Sequence, residues 1–392
     1  MNIFIQTNWT IQLLAQKSNE LGGDGHSAMP SPKATSGAAA PAADVEFPTL
    51  TELKHSIPNS CFESDATISL YYVFRSVALT AALMTGLTHA RAAFADWMVL
   101  DLLISLAYVY VQGVVFWGVF TIGHDCGHSS FSRYHNLNFI VGCIMHSAIL
   151  TPFESWRITH RHHHKNTGNV DKDEVFYPQR EKDEYPMTRK IVYTLGLSWF
   201  IYLKQGYVPR TMNHFNPWDP LLVRRTAAVI VSLGFWLSGV AIVGYLTLTL
   251  GIKTMALYYF APLFVFASFL VVTTFLHHND ENTPWYGDSS WTYVKGNLSS
   301  VDRSYGWLVD ELSHNIGTHQ VHHLFPIIPH YKLNDATSHF RKAFPHLVRV
   351  SNEPIVPAFF KTLDLFVHYG IVPDNAEIFT LRERANSVKK TI

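Results

Sequence analysis

Three short histidine clusters are the residues of this chain best suited to chemistry. They occupy residues 124–128 (HDCGH), 160–164 (HRHHH) and 319–323 (HQVHH). Their spacings are HxxxH, HxxHH and HxxHH, and residues three or four apart lie on the same face of a helix. Each cluster can therefore direct two or three imidazoles towards one point, which predicts metal binding.

The ligand type narrows the choice of metal. Eight or more imidazoles without thiolates argue against a structural zinc site, which uses four ligands. Imidazole suits iron, copper, nickel and zinc alike. The number of imidazoles favours two ions over one. Iron is preferred because chemistry with O2 requires a change of redox state, which zinc does not undergo.

The elements that must position these clusters are long apolar segments. Four of them, at about 68–87, 97–121, 226–248 and 254–276, have the roughly 20 residues that a bilayer crossing requires. Charged residues make up only 15% of the chain, against about 25% in soluble domains. Shorter segments near 137–153 and 191–205 are predicted to be interfacial or re-entrant. The predicted fold is an all-α integral membrane protein with four transmembrane helices and a helical cap that carries the histidines.

The distribution of basic residues predicts how the chain is oriented in the membrane. Residues 122–225 contain 13 lysines and arginines, whereas the short loops on the other side offer only Arg91 and Lys253. The positive-inside rule places the large loop in the cytosol, and four crossings then place both termini there too. Lys389 and Lys390 match a dilysine retrieval signal, a receptor-read address that predicts the endoplasmic reticulum membrane.

Amino-acid composition predicts how the rest of the chain is divided into segments and which partners it lacks. Residues 1–45 are predicted to form a disordered leader rich in Ala, Gly, Ser and Pro, residues 46–375 the main domain, and residues 376–392 a cytosolic tail. Lys plus Arg and Asp plus Glu number 30 each, so no net charge points to a nucleic-acid partner. Cys61, Cys126 and Cys143 are too few for a disulfide framework.

The clusters and their surroundings resemble the membrane fatty-acid desaturase family, and within it the methyl-end group of Δ12 and ω3 desaturases. HDCGHSSF at 124–131 resembles the first histidine box of that group and HRHHHKN at 160–166 resembles the second. HNIGTHQVHH at 314–323 resembles the third box with its preceding residues. The resemblance extends from about Pro48 to the C-terminal region.

The resemblance implies a di-iron centre held by the box histidines, which are His124, His128, His160, His163, His164, His319, His322 and His323. It also implies one further ligand at the end of the fourth span, where His277 and His278 stand; His278 is favoured, and His314 is a third candidate. His162 is left out because it would face away from the others on a helix. Candidates to hold the second nitrogens of the ligands are Asp125, Glu154, Asn166, Asp171 and Asp173.

The implied reaction is the introduction of a cis double bond towards the methyl end of an unsaturated acyl chain. The enzyme would be an oxidoreductase that reduces O2 to water. Asp125 in the first box favours ω3 over Δ12 specificity. The substrate would be a membrane lipid or an acyl-CoA. The chain has no HPGG haem motif, so cytochrome b5 and NADH-cytochrome b5 reductase are the expected electron donors, and a homo- or hetero-dimer is possible.

Two alternatives remain open at the level of sequence. A di-iron hydroxylase, acetylenase or conjugase would use the same boxes. A membrane metal transporter would require ionisable ligands within the spans, whereas these histidines are predicted to lie outside the spans.

Overall fold

The structure is a computed structural model that describes residues 47–183, 185 and 189–391, so the expected leader at 1–45 lies outside the described residues. Its helices are, in chain order, α1 (Leu50–His55), α2 (Ala66–Ala93), α3 (Met98–His128), α4 (His135–Ala148), α5 (Phe153–Asn166), α6 (Gly196–Gln205), α7 (Thr226–Leu250), α8 (Ile252–His278), α9 (Tyr293–Leu298), α10 (Trp307–Leu312), α11 (His319–Leu324), α12 (His330–Ala343), α13 (Ile355–Tyr369) and α14 (Leu381–Thr391).

The four predicted spans are confirmed as helices long and apolar enough to cross a membrane, namely α2, α3, α8 and α7 extended to Val223. The second span was predicted to end near residue 121, but α3 continues to His128. Hydropathy falls at the first histidine cluster, yet the backbone hydrogen bonds of the helix continue through it. The helix ends where Ser129 adopts a left-handed φ of 63° and donates its N–H to the carbonyls of Asp125 and Cys126.

A sharp bend separates α4 from α5. The two helices meet at 103°, as in a broken span or a re-entrant loop. Leu150 has a φ of 55° at the break, and Pro152 precedes the first residue of α5. Proline lacks a backbone N–H and disfavours helical conformation in the residue before it, so a continuous helix through this point is excluded. The bend turns α5 towards the end of α3.

Most of the described chain outside the spans packs into a cap at the histidine end of the helices. Leu53 and Ile57, which precede the first span, share one hydrophobic cluster with Leu333 and Phe340 of α12. Among the described residues, four two-stranded sheets connect segments of the cap: Gln179–Arg180 with Ile371–Val372, Gly206–Tyr207 with Arg210–Thr211, Trp285–Tyr286 with Ile378–Phe379, and Asp302–Arg303 with Val350–Ser351. The segments before the first span and after the fourth therefore lie on the same side of the helical bundle.

The boundary expected at residue 375 does not coincide with a break in packing. Phe379 pairs with Trp285 in a two-stranded antiparallel sheet. Leu381 is fully buried, and Arg382 forms an ion pair with Glu281 at 2.7 Å. The beginning of the segment expected to be a tail is thus part of the packed domain.

One glycine allows the third histidine cluster to approach α3. A Cβ atom at Gly118 would lie 2.2 Å from the carbonyl oxygen of Leu312. That contact is with backbone, which cannot move aside like a flexible side chain. Glycine at this position therefore lets the segment that leads into α11 lie directly against α3.

Candidate metal centre

Nine histidines gather where α3, α5, α8 and α11 meet, and they form two groups. The first group is His124, His128, His160, His164 and His322, whose candidate ligand atoms all lie within 4.8 Å of one another. His163, His278 and His323 form the second group by the same measure. The Nε2 atom of His319 belongs beside the second group, at 3.2 Å from Nε2 of His278 and 2.9 Å from Nε2 of His323.

Local structure explains how each helix presents its imidazoles. His124 and His128 occupy the last turns of α3, and His278 ends α8. All four histidines of the second cluster lie in α5, and three of them belong to the two groups: His160, His163 and His164. The N-terminus of α11 is held by Asp302, whose Oδ1 accepts hydrogen bonds from the backbone N–H groups of His319 at 2.6 Å and Gln320 at 2.8 Å. A carboxylate satisfies the free N–H groups at a helix N-terminus and interacts favourably with the helix dipole. Asp302 therefore holds the helix of the third cluster in place at its first residue, His319.

At five histidines of the site, burial favours the neutral imidazole, which is the form that metals bind. Burial, followed by the charge of neighbouring imidazoles, holds the pKa of the ligand candidates in the cap well below the ordinary value for histidine. These residues are His160, His164, His319, His322 and His323. A neutral imidazole offers a free lone pair, whereas a protonated one offers none.

Unpartnered nitrogens show that the donor set fits metal ions. Nε2 of His128 and Nε2 of His322 are buried and have no hydrogen-bond partner among the described residues. Other pairs of imidazole nitrogens face each other directly, as between His160 and His164 at 3.1 Å and between His163 and His278 at 3.3 Å. Buried polar atoms are normally paired, and two metal ions would satisfy these nitrogens together.

Two of the candidate ligands have clear partners for their second nitrogen. Nδ1 of His163 lies 2.6 Å from Oδ1 of Asp173, which is fully buried. Nδ1 of His323 lies 3.1 Å from the Thr167 hydroxyl and 3.2 Å from Oδ1 of Asn297. Such contacts fix the tautomer and the ring orientation of a ligand histidine. Asp173 was among the sequence candidates. Thr167 and Asn297 were not, because neither stands in a recognisable motif.

The other four candidates for this supporting role make different contacts. Asp125 lies 3.7 Å from Nδ1 of His124 but bonds His330 at 2.8 Å. The remaining three bond no member of either group. Glu154 forms ion pairs with Arg157 and Arg225. Asn166 bonds His162 of its own helix, and Asp171 forms an ion pair with Arg180. Proximity in sequence to a histidine cluster did not predict these contacts, because Glu154, Asn166 and Asp171 bond residues outside both histidine groups.

The structure separates the three additional histidine candidates. His278 lies in the second group. His277 is engaged elsewhere, since its Nδ1 contacts the carbonyl oxygen of Val301 at 2.5 Å and its Nε2 contacts the Tyr305 hydroxyl at 2.9 Å. His314 lies outside both groups, and its ring packs against Tyr72. His162 points outward, as expected, with Nδ1 at 2.8 Å from Glu174.

The different contacts of His277 and His278 can be tested by replacing each of these adjacent residues in turn. We expect His278→Ala to lose roughly one bound metal ion per chain and to reduce activity by about a hundredfold or more, because the second group loses one imidazole donor. His277→Ala should keep its metal content and lose thermal stability instead, because its two hydrogen bonds join α8 to the cap. The metal content per chain of the purified variants, measured by elemental analysis, decides between these assignments. Loss of metal from His277→Ala alone would reverse the assignment.

An apolar slot opens against both histidine groups. It is lined by aromatic and aliphatic side chains of the spans and the cap, by Thr273, by histidines of both groups and by His277. The apolar and histidine residues are Trp117, Phe120, Trp156, Val175, Phe176, Trp199, Tyr202, Tyr207, Leu270, Val271, Ile316, His124, His160, His163, His277, His278 and His319. Thr274 also lines the slot, one helical turn before His278. A flexible apolar chain that entered between the helices would meet the histidine groups at the end of a membrane span.

Comparison with known proteins agrees with this geometry. The family model described as fatty acid desaturase matches residues 95–352, a region that contains all three histidine clusters. An sn-1 acyl-lipid omega-3 desaturase (ferredoxin) of Synechocystis sp. is 40% identical over 320 residues, covering 80% of this chain and 86% of the relative.

Plant relatives match at a similar level. An endoplasmic reticulum omega-3 fatty acid desaturase of Vigna radiata is 39% identical over 297 residues, which is 74% of this chain and 76% of the relative. A chloroplastic sn-2 acyl-lipid omega-3 desaturase (ferredoxin) of Helianthus annuus is 38% identical over 314 residues, which is 78% of this chain and 68% of the relative. The histidine groups at the membrane end of the spans and these matches over most of the chain show that it belongs to the fatty acid desaturase family, in the methyl-end group, and that it is an oxidoreductase.

Proposed function

We propose that this protein is an ω3 desaturase, which uses O2 and two irons to introduce a cis double bond near the methyl end of an unsaturated acyl chain. The observation that carries the proposal is the position of the two imidazole groups at the apolar slot, since the reacting carbons must reach both groups. The omega-3 names of the relatives support ω3 over Δ12 specificity.

The protein's own residues would position the substrate and the metals. His124, His128, His160, His164 and His322 would hold one iron, and His163, His278, His319 and His323 the other. Iron would supply the redox chemistry that activates O2. The slot would orient two neighbouring CH2 groups and exclude water, because its walls are mostly aromatic and aliphatic. Asp173 would keep the proton of His163 on Nδ1, so that Nε2 faces the metal.

We propose that a small one-electron carrier protein reduces the site. Cytochrome b5, itself reduced by its NADH-dependent reductase, suits a chain in the endoplasmic reticulum membrane with its cap in the cytosol. Relatives from that membrane support this location, as does the exposed pair Lys389 and Lys390 on α14. The cyanobacterial and chloroplastic relatives are named for ferredoxin, which is the competing donor. Epitope tags in the cap that are reached only after the membrane is opened would contradict the cytosolic orientation.

Product analysis tests the proposal. Yeast that expresses the protein and is fed 18:2 should accumulate an ω3 18:3 acid, and the inactive variant His322→Ala is the matched control. A parallel strain should also express plant-type ferredoxin and its reductase, so that the choice of donor does not hide activity. A new 18:2 acid formed from 18:1 would indicate Δ12 specificity. A hydroxylated chain as the main product would contradict desaturation.

A further inference from the structure

A row of basic side chains follows α5 beside the histidines that this helix contributes to the metal centre. Arg157, Arg161 and Lys165 are spaced four residues apart, so they lie on one side of the helix. Arg225, which directly precedes α7, stands beside the same surface, because it reaches Glu154 of α5 at 3.3 Å, and Arg224 is its exposed neighbour in the chain. We call these five residues the basic stripe.

The basic stripe carries a large excess of positive charge. Glu154 is the carboxylate that it contacts, and this side chain is fully buried and already bound by Arg157 at 2.6 Å. Arg161, Lys165 and Arg224 form no ion pair within 4 Å with any residue that the structure describes. The stripe therefore presents uncompensated positive charge to solvent.

The stripe adjoins the most accessible edge of the metal centre. In the first histidine group, His124, His164 and His322 are buried, whereas His128 and His160 are partly exposed. A Cβ atom at Gly127, next to His128, would lie 3.3 Å from Cγ of Arg157. His160 follows Arg157 by three residues and His164 follows Arg161 by three, so the stripe and these two histidines are neighbours on the surface of α5.

The course of α5 indicates what kind of partner could cover the stripe. The first turn lies beside the span α7, where the N–H of Glu154 donates to Ser232 at 3.0 Å. Further along, Thr159 bonds His214 and His162 pairs with Glu174, and both partners belong to the cap. Arg161 and Lys165 are therefore carried away from the span. Lipid headgroups would meet mainly Arg224 and Arg225, whereas a protein that sits on the cap would meet the whole stripe.

We propose that the basic stripe is the docking site for the reduced carrier, a small one-electron protein with carboxylates around its redox group. The proposal rests on the proposed function. In each turnover the four electrons that reduce O2 to two waters come in two pairs. One pair leaves with the two hydrogens of the substrate, and two successive carrier molecules, each oxidised by one electron, supply the other. Two protons from solvent complete the balance.

Charge reversal on the stripe tests the proposal. Arg161→Glu combined with Lys165→Glu should weaken binding of an acidic carrier by about tenfold or more, because the stripe becomes repulsive. Lys182→Glu combined with Lys190→Glu is the matched control, since it changes the charge equally at exposed lysines elsewhere in the cap. Protein in phosphatidylcholine nanodiscs would be titrated with soluble cytochrome b5 and, separately, with plant-type ferredoxin. Wild-type affinity should fall as salt is raised.

A second measurement locates the contact without using activity. Carbodiimide joins a lysine amine to a carboxylate that touches it, and mass spectrometry should find Lys165 joined to the carrier. Iron content of the charge-reversed variant should equal that of the wild type.

Three outcomes separate the possibilities. Unchanged carrier affinity in Arg161→Glu/Lys165→Glu, or cross-links at Lys182 or Lys190 in place of Lys165, would overturn the docking site. Weaker binding of the variant to vesicles of anionic phosphatidylserine, with carrier affinity intact, would overturn it in favour of a lipid surface. A wild-type protein that binds carrier at Lys165 but forms no desaturated product would leave the docking site standing and would refute the proposed function.

Discussion

Replacing His322 with alanine is expected to abolish desaturation, with activity reduced by roughly a hundredfold or more and iron falling from about two to about one per chain. The Nε2 atom of His322 is buried without a hydrogen-bond partner among the described residues, and its ring lies 4.6 Å from that of His124 and 4.8 Å from that of His164. Alanine would leave the first group short of one donor. Replacing a residue that only supports a metal ligand weakens metal binding by about 10–100-fold. Loss of a ligand itself should weaken binding at least as much.

The matched control for this prediction is His162→Ala. His162 stands in the second histidine cluster but contacts Glu174 and Asn166 at the outer side of α5. This variant should keep its iron and most of its activity. Membrane insertion should be normal in both variants, since the apolar spans do not depend on either imidazole. An active His322→Ala protein with two irons would contradict the assignment of the first group.

Replacing Asp173 with alanine is expected to weaken iron binding by about 10–100-fold, although Asp173 touches no metal position itself. Its Oδ1 lies 2.6 Å from Nδ1 of His163, and its Oδ2 accepts the backbone N–H of Gly168 at 2.9 Å. Without the carboxylate, His163 would lose the contact that fixes its proton and its ring. Asp173→Asn keeps an oxygen acceptor but loses the charge, so its iron affinity should fall between that of the wild type and that of the alanine variant.

Competition with an iron chelator would measure these affinities. Asp288→Asn is the control, because Asp288 pairs with Lys172 at a half-exposed position away from both histidine groups. It should bind iron as the wild type does. Equal affinity of Asp173→Ala and the wild type would show that His163 needs no such support, or that His163 is not a ligand.

Local patterns in the sequence were sufficient to predict the membrane helices and the histidine clusters. A span is recognised from its own apolar residues, since the bilayer replaces much of the long-range packing that a soluble core requires. The histidine spacing likewise needs only the geometry of one helix. The end of α3 was misplaced because hydropathy measures the affinity of side chains for lipid, while helix continuation depends on backbone hydrogen bonds. His124 and His128 therefore lie within the helix and not after it.

Tertiary structure alone decided how the clusters are divided between two groups. His163 joins His278 and His323, although its neighbours in sequence, His160 and His164, belong to the other group. The sequence determined which residue types are present, and on which helices, through local spacing and hydropathy. The packing of distant helices decides which imidazoles lie close together. It also decides that His278, and not His277, belongs to the second group, and that Asn297 contacts His323. Adjacent residues on a helix point in different directions, so only the packed arrangement of the helices selects among them.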